Sequence, residues 1–405
     1  MRFDPYRKVL VLPAVRSLML VAFFARIPVM AVGVTLTLHV VHDLDRGYGE
    51  AGLVGAVATI ATALGAPLLG RLIDRRGLRL TLLLTLAVTA VWWAVAPQLS
   101  YGALLAVAAV GGFFTVPVFS VVRQSLAALV GGERRRQAYA IDSMAVELSF
   151  MIGPAVAIIL VAQLSALVAM YVVGAALVVS GGALLVLDPP VRGSDEEAAG
   201  AARPARRQWF TGRLVAVFAV AAASTCVVAG TDLSIIAALE TTGQDGWIAL
   251  VLPLWGAASL VGGFVYGALP RAVPLVWLLA LLGLLTIPIG LAEGPLWLSL
   301  AVLPAGLLCA PSLAASAEAV SRLVPAGARG EAMGWHGSAL TFGLAAGAPL
   351  AGSVIDAAGA GWGFAAAGAA GVAVAALLAP LNRRLEAPTG PEAPQVVEDL
   401  APASA

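Results

Sequence analysis

From Asp188 to Phe210 the chain reads DPPVRGSDEEAAGAARPARRQWF, the one long polar stretch in its interior. On both sides the composition is of another kind. Of 405 residues, 60% are hydrophobic and 12% charged, whereas a soluble domain is roughly 45–50% apolar and about 25% charged. Length alone would suggest several soluble domains, but this composition is that of a polytopic membrane protein. Each bilayer crossing needs about 20 apolar residues. Six such segments precede the polar stretch, near 14–41, 50–70, 78–97, 101–130, 138–162 and 165–187. Six follow it, near 213–238, 247–268, 273–292, 296–324, 332–356 and 361–381. Most connections are too short for anything but helical hairpins. The expected fold is therefore all-α, with twelve transmembrane helices in two six-helix halves, 1–187 and 213–381. A linker, 188–212, joins the halves, and a tail rich in Pro, Ala and Glu, 382–405, is expected to be disordered.

The first apolar run is longer than the roughly 7–15 residues of a secretory signal core. It also holds Arg26 and Pro28, so it reads as an uncleaved first span. Basic residues fix the orientation. Arg71, Arg75, Arg76 and Arg79 fall in the second connection, Arg134, Arg135 and Arg136 in the fourth. Arg192, Arg203, Arg206 and Arg207 fall in the linker, and Arg383 and Arg384 follow the last span, while the odd-numbered connections hold only Arg46. The positive-inside rule then places both termini and the linker in the cytoplasm of a cell or plasma membrane. Trp247, Trp297 and Trp362 sit at span ends, as interfacial residues do. A net charge of +1 leaves no basic face for nucleic acid. Cys226 and Cys309 lie far apart in apolar runs and read as small buried hydrophobes.

The halves resemble each other. At a constant offset of 194 positions, Gly112 meets Gly306, Pro117 meets Pro311, Leu129 and Val130 meet Leu323 and Val324, and Arg135 meets Arg329. Such self-similarity marks duplicated transporter folds, whose halves are related by a pseudo-twofold axis.

The second connection reads GRLIDRRGLR, Gly70 to Arg79. It resembles motif A of the major facilitator superfamily: Gly70, Asp74, Arg75, Gly77 and Arg79 match, and Leu78 departs where the family usually has Arg. The resemblance implies the two-half fold, transport by alternating access, and a cytoplasmic gate in which the Asp meets a helix end of the other half. A carboxylate at a helix N-terminus gains about 0.3–1 kcal/mol, more when partly buried. The bland alternative is a solvated charge cluster that fixes topology. In the second half, GGFVYGALPR has Gly267 at the acid's place, so no second latch is expected. The fifth span also resembles, in part, that of efflux members: Ser149 and Gly153-Pro154 keep the pattern, while Ala157 and Ile158 depart from it.

That span contains AIDSMAVELSFMIGP, Ala140 to Pro154, with two acids in apolar surroundings. Arg26 lies ten residues beyond Arg16, about 15 Å into the first span, and Glu147 eleven beyond Arg136, about 16 Å into the fifth. Equal depth predicts an Arg26–Glu147 pair. Arg123 and Asp142 both lie about 9–15 Å from the same face, which predicts a second pair. Asp142 and Glu147 are separated by about 140° around the helix and cannot share a face. Either pair can be a neutral structural bridge; Glu147 is also the candidate for proton coupling, and Arg26 for holding an anionic substrate group. Asp232 either lines the cavity or, as the better reading, is a water-exposed interfacial acid near the outer end of span seven. Glu318 and Arg322 are spaced for a local bridge. His336 and Thr341 stand at the repeat positions of Asp142 and Glu147, so the charge system is expected in the N-terminal half alone. His39, His42 and Asp43 make a poor metal site at a mobile edge, and no metal is expected.

In the family arrangement, spans one, four, seven and ten line the cavity. They offer Arg26, Phe113, Ser120, Arg123, Thr225 and Asp232 but few other polar groups. Such a cavity suits small amphipathic molecules better than sugars. The expected function is proton-coupled export of such a molecule by a monomer in the lipid bilayer. The alternatives are uptake or facilitated transport of a small metabolite, and a non-transporting sensor or assembly partner on the same fold. Three histidines with no HExxH, no Walker loop and no Ser–His–Asp set at one depth argue against an enzyme. No cofactor is expected.

Overall fold

The computed structural model describes residues 4–193, 204–269 and 271–381. The expected linker falls partly, and the tail wholly, outside the described residues, as do Arg203, Arg383 and Arg384. Among the described residues there is no strand. Eleven helices are long and apolar enough to cross a bilayer, and the ninth span, Leu275–Leu291, is shorter. The six spans of the first half are Pro13–His42, Tyr48–Arg76, Leu78–Gln98, Tyr101–Leu129, Arg135–Gln163 and Ala166–Leu187. In the second half Leu275–Leu291 is accompanied by Gly212–Glu240, Asp245–Ala268, Pro295–Leu323, Ala326–Ala358 and Ala360–Leu378. A short helix, Asp4–Leu10, precedes the first span.

Spans four and ten are not continuous helices, a departure from the sequence reading. Span four is Tyr101–Phe113 followed by Val118–Leu129, and span ten is Pro295–Gly306 followed by Cys309–Leu323. Pro117 and Pro311, repeat partners, lie beside the breaks, where a missing N–H and the proline ring interrupt the helical ladder. Each break presses on a glycine of a neighbouring span. A Cβ at Gly65 would overlap the Phe113 carbonyl, and one at Gly262 the Leu307 carbonyl. Three residues before each glycine a hydroxyl binds the broken helix. Thr62 Oγ1 donates to the Gly112 carbonyl at 3.0 Å, and Ser259 Oγ accepts the Ala310 N–H at 3.0 Å.

The halves do not meet evenly along their length. One apolar cluster draws on both, joining Val9, Leu18, Leu126 and Tyr139 to Phe218, Val320 and Met333. It lies at the end that carries the arginine-rich connections, here called the basic end. Toward the opposite end each half has its own clusters, one around Leu104 and Met170, another around Ile235 and Phe364. Across the junction the second span packs on the eleventh, and the fifth on the eighth and tenth. The bundle is sealed at its basic end.

Candidate functional site

The seal begins with local geometry. Gly77 ends the second span with φ 88°, a conformation that costs a residue with a side chain but not glycine. The turn leaves Asp74 on the last turn of the helix, directed at the other half. There the α-helix of the eleventh span starts at Arg329, so the N–H groups of Gly330 and Glu331 have no partner within their own helix. Asp74 Oδ1 accepts Gly330 N–H at 2.9 Å, and Oδ2 accepts Glu331 N–H at 2.8 Å. Gln124 adds a bond to Oδ1 at 3.1 Å. Close approach requires Gly70, where a Cβ would overlap the Gly330 carbonyl. Around this latch Glu331 faces Arg71 at 3.8 Å and Arg206 at 3.6 Å, and Arg192 donates to the Asp74 carbonyl at 2.8 Å. Arg75 and Arg79 are exposed and make no ion pair among the described residues. The short N-terminal helix also crosses over. Tyr6 stacks on Phe264 with ring centroids 5.0 Å apart and its hydroxyl donates to the Phe264 carbonyl, while Arg136 donates to the Leu269 carbonyl.

Deeper in the bundle the buried charges pair differently from the depth argument. Arg26 does not meet Glu147. Its Nη2 donates to Asp142 Oδ1 at 2.5 Å, while Arg123 Nε donates to Asp142 Oδ2 at 3.3 Å. The expected Arg123–Asp142 contact is present, but Asp142 is shared. The cause is side-chain projection: helical side chains lean toward their own N-terminus. Arg26 therefore reaches several ångströms toward the basic end from its Cα, down to the level of Asp142. The network then crosses between halves. Arg123 Nη1 meets His336 Nδ1 at 3.1 Å, and His336 Nε2 meets Ser316 Oγ at 2.9 Å. Arginine can only donate, so Nδ1 is the acceptor and Nε2 carries the proton. The charge system is thus not confined to the N-terminal half. The placement of His336 at the repeat position of Asp142 was the one signal in the sequence.

Glu147 turns the other way, to the second half. Ser259 Oγ donates to Glu147 Oε1 at 2.9 Å while accepting the Ala310 N–H of the broken tenth span. The charges of Asp232 and Glu147 interact. The expectation of a water-exposed Asp232 at the outer end is corrected. Span seven continues to Glu240, eight residues and about 12 Å further on, which leaves Asp232 partly buried inside the bundle. Two acids from different halves therefore interact in the interior, and Ser259 of the second half holds Glu147. Ser259 was not singled out from the sequence, because a lone Ser in an apolar span carries no signal of its own.

Other cavity candidates are placed elsewhere. Thr225 is buried and donates to the Leu340 carbonyl at 2.9 Å, joining spans seven and eleven. Ser120 is buried, and Phe113 ends the first helix of span four with its ring against Phe114. Arg26 is 0% exposed and lies under the Phe119 ring, its Cζ 5.0 Å from the ring centroid. Glu318 and Arg322 form the local bridge. His39 pairs with Asp43 at 2.7 Å, and no group of three metal-ligating side chains occurs among the described residues.

Two six-span halves, sealed at one end by a carboxylate on a helix N-terminus and holding buried ionisable groups in the interior, define a membrane transporter rather than an enzyme. The chain belongs to the Major Facilitator Superfamily, whose family model matches residues 18–294. Among solved structures, the human organic anion transporter MFSD10 (TETRAN) is similar with 21% identity and a TM-score of 0.70, over 90% of this chain and 100% of that one. A bacterial homologue of the iron transporter ferroportin, in an outward-facing state, has 16% identity and a TM-score of 0.71, over 92% and 99%. The proton:xylose symporter XylE has 13% identity and a TM-score of 0.69, over 90% and 95%. At these identities the likeness is one of fold. No curated protein sequence matches the chain.

Proposed function

We propose that the protein exports a small amphipathic molecule by alternating access, driven by proton exchange through Glu147 and Asp232. The observation that carries this reading is the contact between Glu147 and Ser259 across the two halves, and the charge of Asp232 in the second half interacts with that of Glu147. Neither acid forms an ion pair among the described residues. Two partly buried carboxylates whose charges interact repel when both are ionised, so their protonation and the separation of the halves are linked. With the basic end in the cytoplasm, as the positive-inside rule has it, the sealed form faces outward. Protons would then enter from outside, the halves would rock, and the pair would release its protons inward as substrate binds. In this reading the protein works as a monomer in the cell or plasma membrane with both termini cytoplasmic, and the Asp74 latch is its cytoplasmic gate. Opening that gate must part Asp74 from the eleventh span and Glu147 from Ser259 together.

The test is counterflow of labelled compounds into proteoliposomes, with and without a pH gradient, using hits from a growth screen of overexpressing cells. Wild type should show gradient-driven flux. Glu147→Gln should lose it and keep exchange. Unchanged dependence on the gradient in Glu147→Gln removes Glu147 from coupling, and inward accumulation in cells overturns export.

A further inference from the structure

Arg26 and Arg123 bring two positive charges into the interior, and the structure sets one carboxylate against them. Asp142 is the only acid that pairs with either guanidinium among the described residues, and His336, accepting from Arg123, is neutral. The cluster therefore carries an excess positive charge where burial of an unpaired ion is costly. The excess sits on Arg26. Its Nη2 serves Asp142, while Nε and Nη1 are buried without a hydrogen-bond partner. A structural bridge would not need this. Arg123 alone neutralises Asp142, and five N–H donors are more than one carboxylate oxygen can use.

The covering of Arg26 suggests how a ligand would reach it. From Val118 to Ala127 every residue is buried except Phe119, and Phe119 is the ring over the guanidinium. The one partly exposed side chain of this segment is thus the one that covers the free donors. A guanidinium stripped of water binds a carboxylate or sulfonate through charge-assisted hydrogen bonds, and the apolar lining of spans one and four would hold a hydrocarbon body beside it.

We infer that Arg26 is the binding site for the anionic group of the transported molecule, and that the substrate is a small organic monoanion with an apolar body. This rests on the transport reading above. It adds the charge of the substrate and the residue that selects it; Asp142 and Arg123 are positioning residues that hold Arg26 in place.

The experiment is thermal unfolding of the purified full-length protein at matched ionic strength. The probes are benzoate, phenylacetate, cyclohexanecarboxylate and benzenesulfonate, each against a neutral or cationic counterpart: benzamide, phenylacetamide, cyclohexanecarboxamide and benzyltrimethylammonium. In wild type at least one anion should raise Tm saturably by several degrees, with its counterpart inert. Arg26→Gln should lose the response, and Arg26→Lys should keep it at roughly tenfold lower affinity. Equal effects of acid and amide, stabilisation by the cation alone, no response to any anion, or an undiminished response in Arg26→Gln would each overturn the inference. The wild-type comparison stands even if a variant does not fold. The two readings fail separately. Anions that bind but never move in counterflow defeat the transport reading and leave the site. Neutral or cationic compounds that move while no anion binds defeat the site and leave transport.

Discussion

Replacing Asp74 by Asn removes the charge at the basic-end latch without changing the size of the side chain. Asp74 is 6% exposed and accepts from Gly330 N–H, Glu331 N–H and Gln124, two of the three donors belonging to the first turn of a helix in the other half. Hydrogen bonds to a charged acceptor contribute about 1.5–3 kcal/mol each, and the helix terminus adds up to about 2 kcal/mol. Asparagine keeps one acceptor and turns an amide donor toward a backbone N–H. The sealed form should therefore lose about 2–4 kcal/mol, a shift of about 30- to 700-fold toward the open form. Spin labels on cysteines at Arg76 and Pro325, exposed at the basic end of the first and second halves, report the separation once Cys226 and Cys309 are replaced by Ala. Asp74→Asn should add a population at longer distance, and Gly70→Ala, which forces the second span off Gly330, should do the same. Distance distributions unchanged in both variants would refute the latch.

Other outcomes follow from neighbouring contacts. Asp142→Asn leaves both buried arginines without a counter-ion and should cost about 3–5 kcal/mol in stability, measured as a loss of Tm; adding Arg123→Gln should restore part of it, and no restoration would mean the charges are not coupled. Gly262→Val must displace the Leu307 backbone at the break in span ten and should lower Tm or abolish folding, whereas Gly182→Val, with open space around it, should do neither. Equal Tm values would show that the break is not packed as described. Burial pushes the Tyr6 phenol to about 12, with Arg136 opposing the rise. Because that value lies above its ordinary one, any contribution from the phenol is complete below pH 10 and fades as pH rises through the folded value. Spin-label distances at pH 7 and pH 11 should coincide, because only a phenol near its ordinary value would be mostly ionised at pH 11, and a distance that changes over this range would mean Tyr6 is solvated.

The spans, their number and the position of the latch were legible because each depends on neighbours in the chain. Apolar runs of bilayer length, arginines between them, and the Gly-Asp-Gly spacing from Gly70 to Gly77 are local patterns. The breaks in spans four and ten were half legible. Pro117 and Pro311 stand beside them and were read only as repeat partners, and the approach of Gly65 and Gly262 shows that the broken segments are packed in place. The site was less legible. Depth counted along single helices put Arg26 level with Glu147. It missed the length of the arginine side chain and its lean toward the basic end.

By itself, then, the sequence marked the apolar spans and the basic end, and its resemblance to motif A pointed to Asp74. Hydropathy and helical period are properties of consecutive residues. Tertiary structure alone decided that Asp142 is shared by two arginines, that His336 extends the network into the second half, and that Glu147 joins Ser259 and Asp232. Those partnerships depend on the tilt and rotation of each helix against the next. Packing fixes these quantities, and no repeat or spacing within one span encodes them.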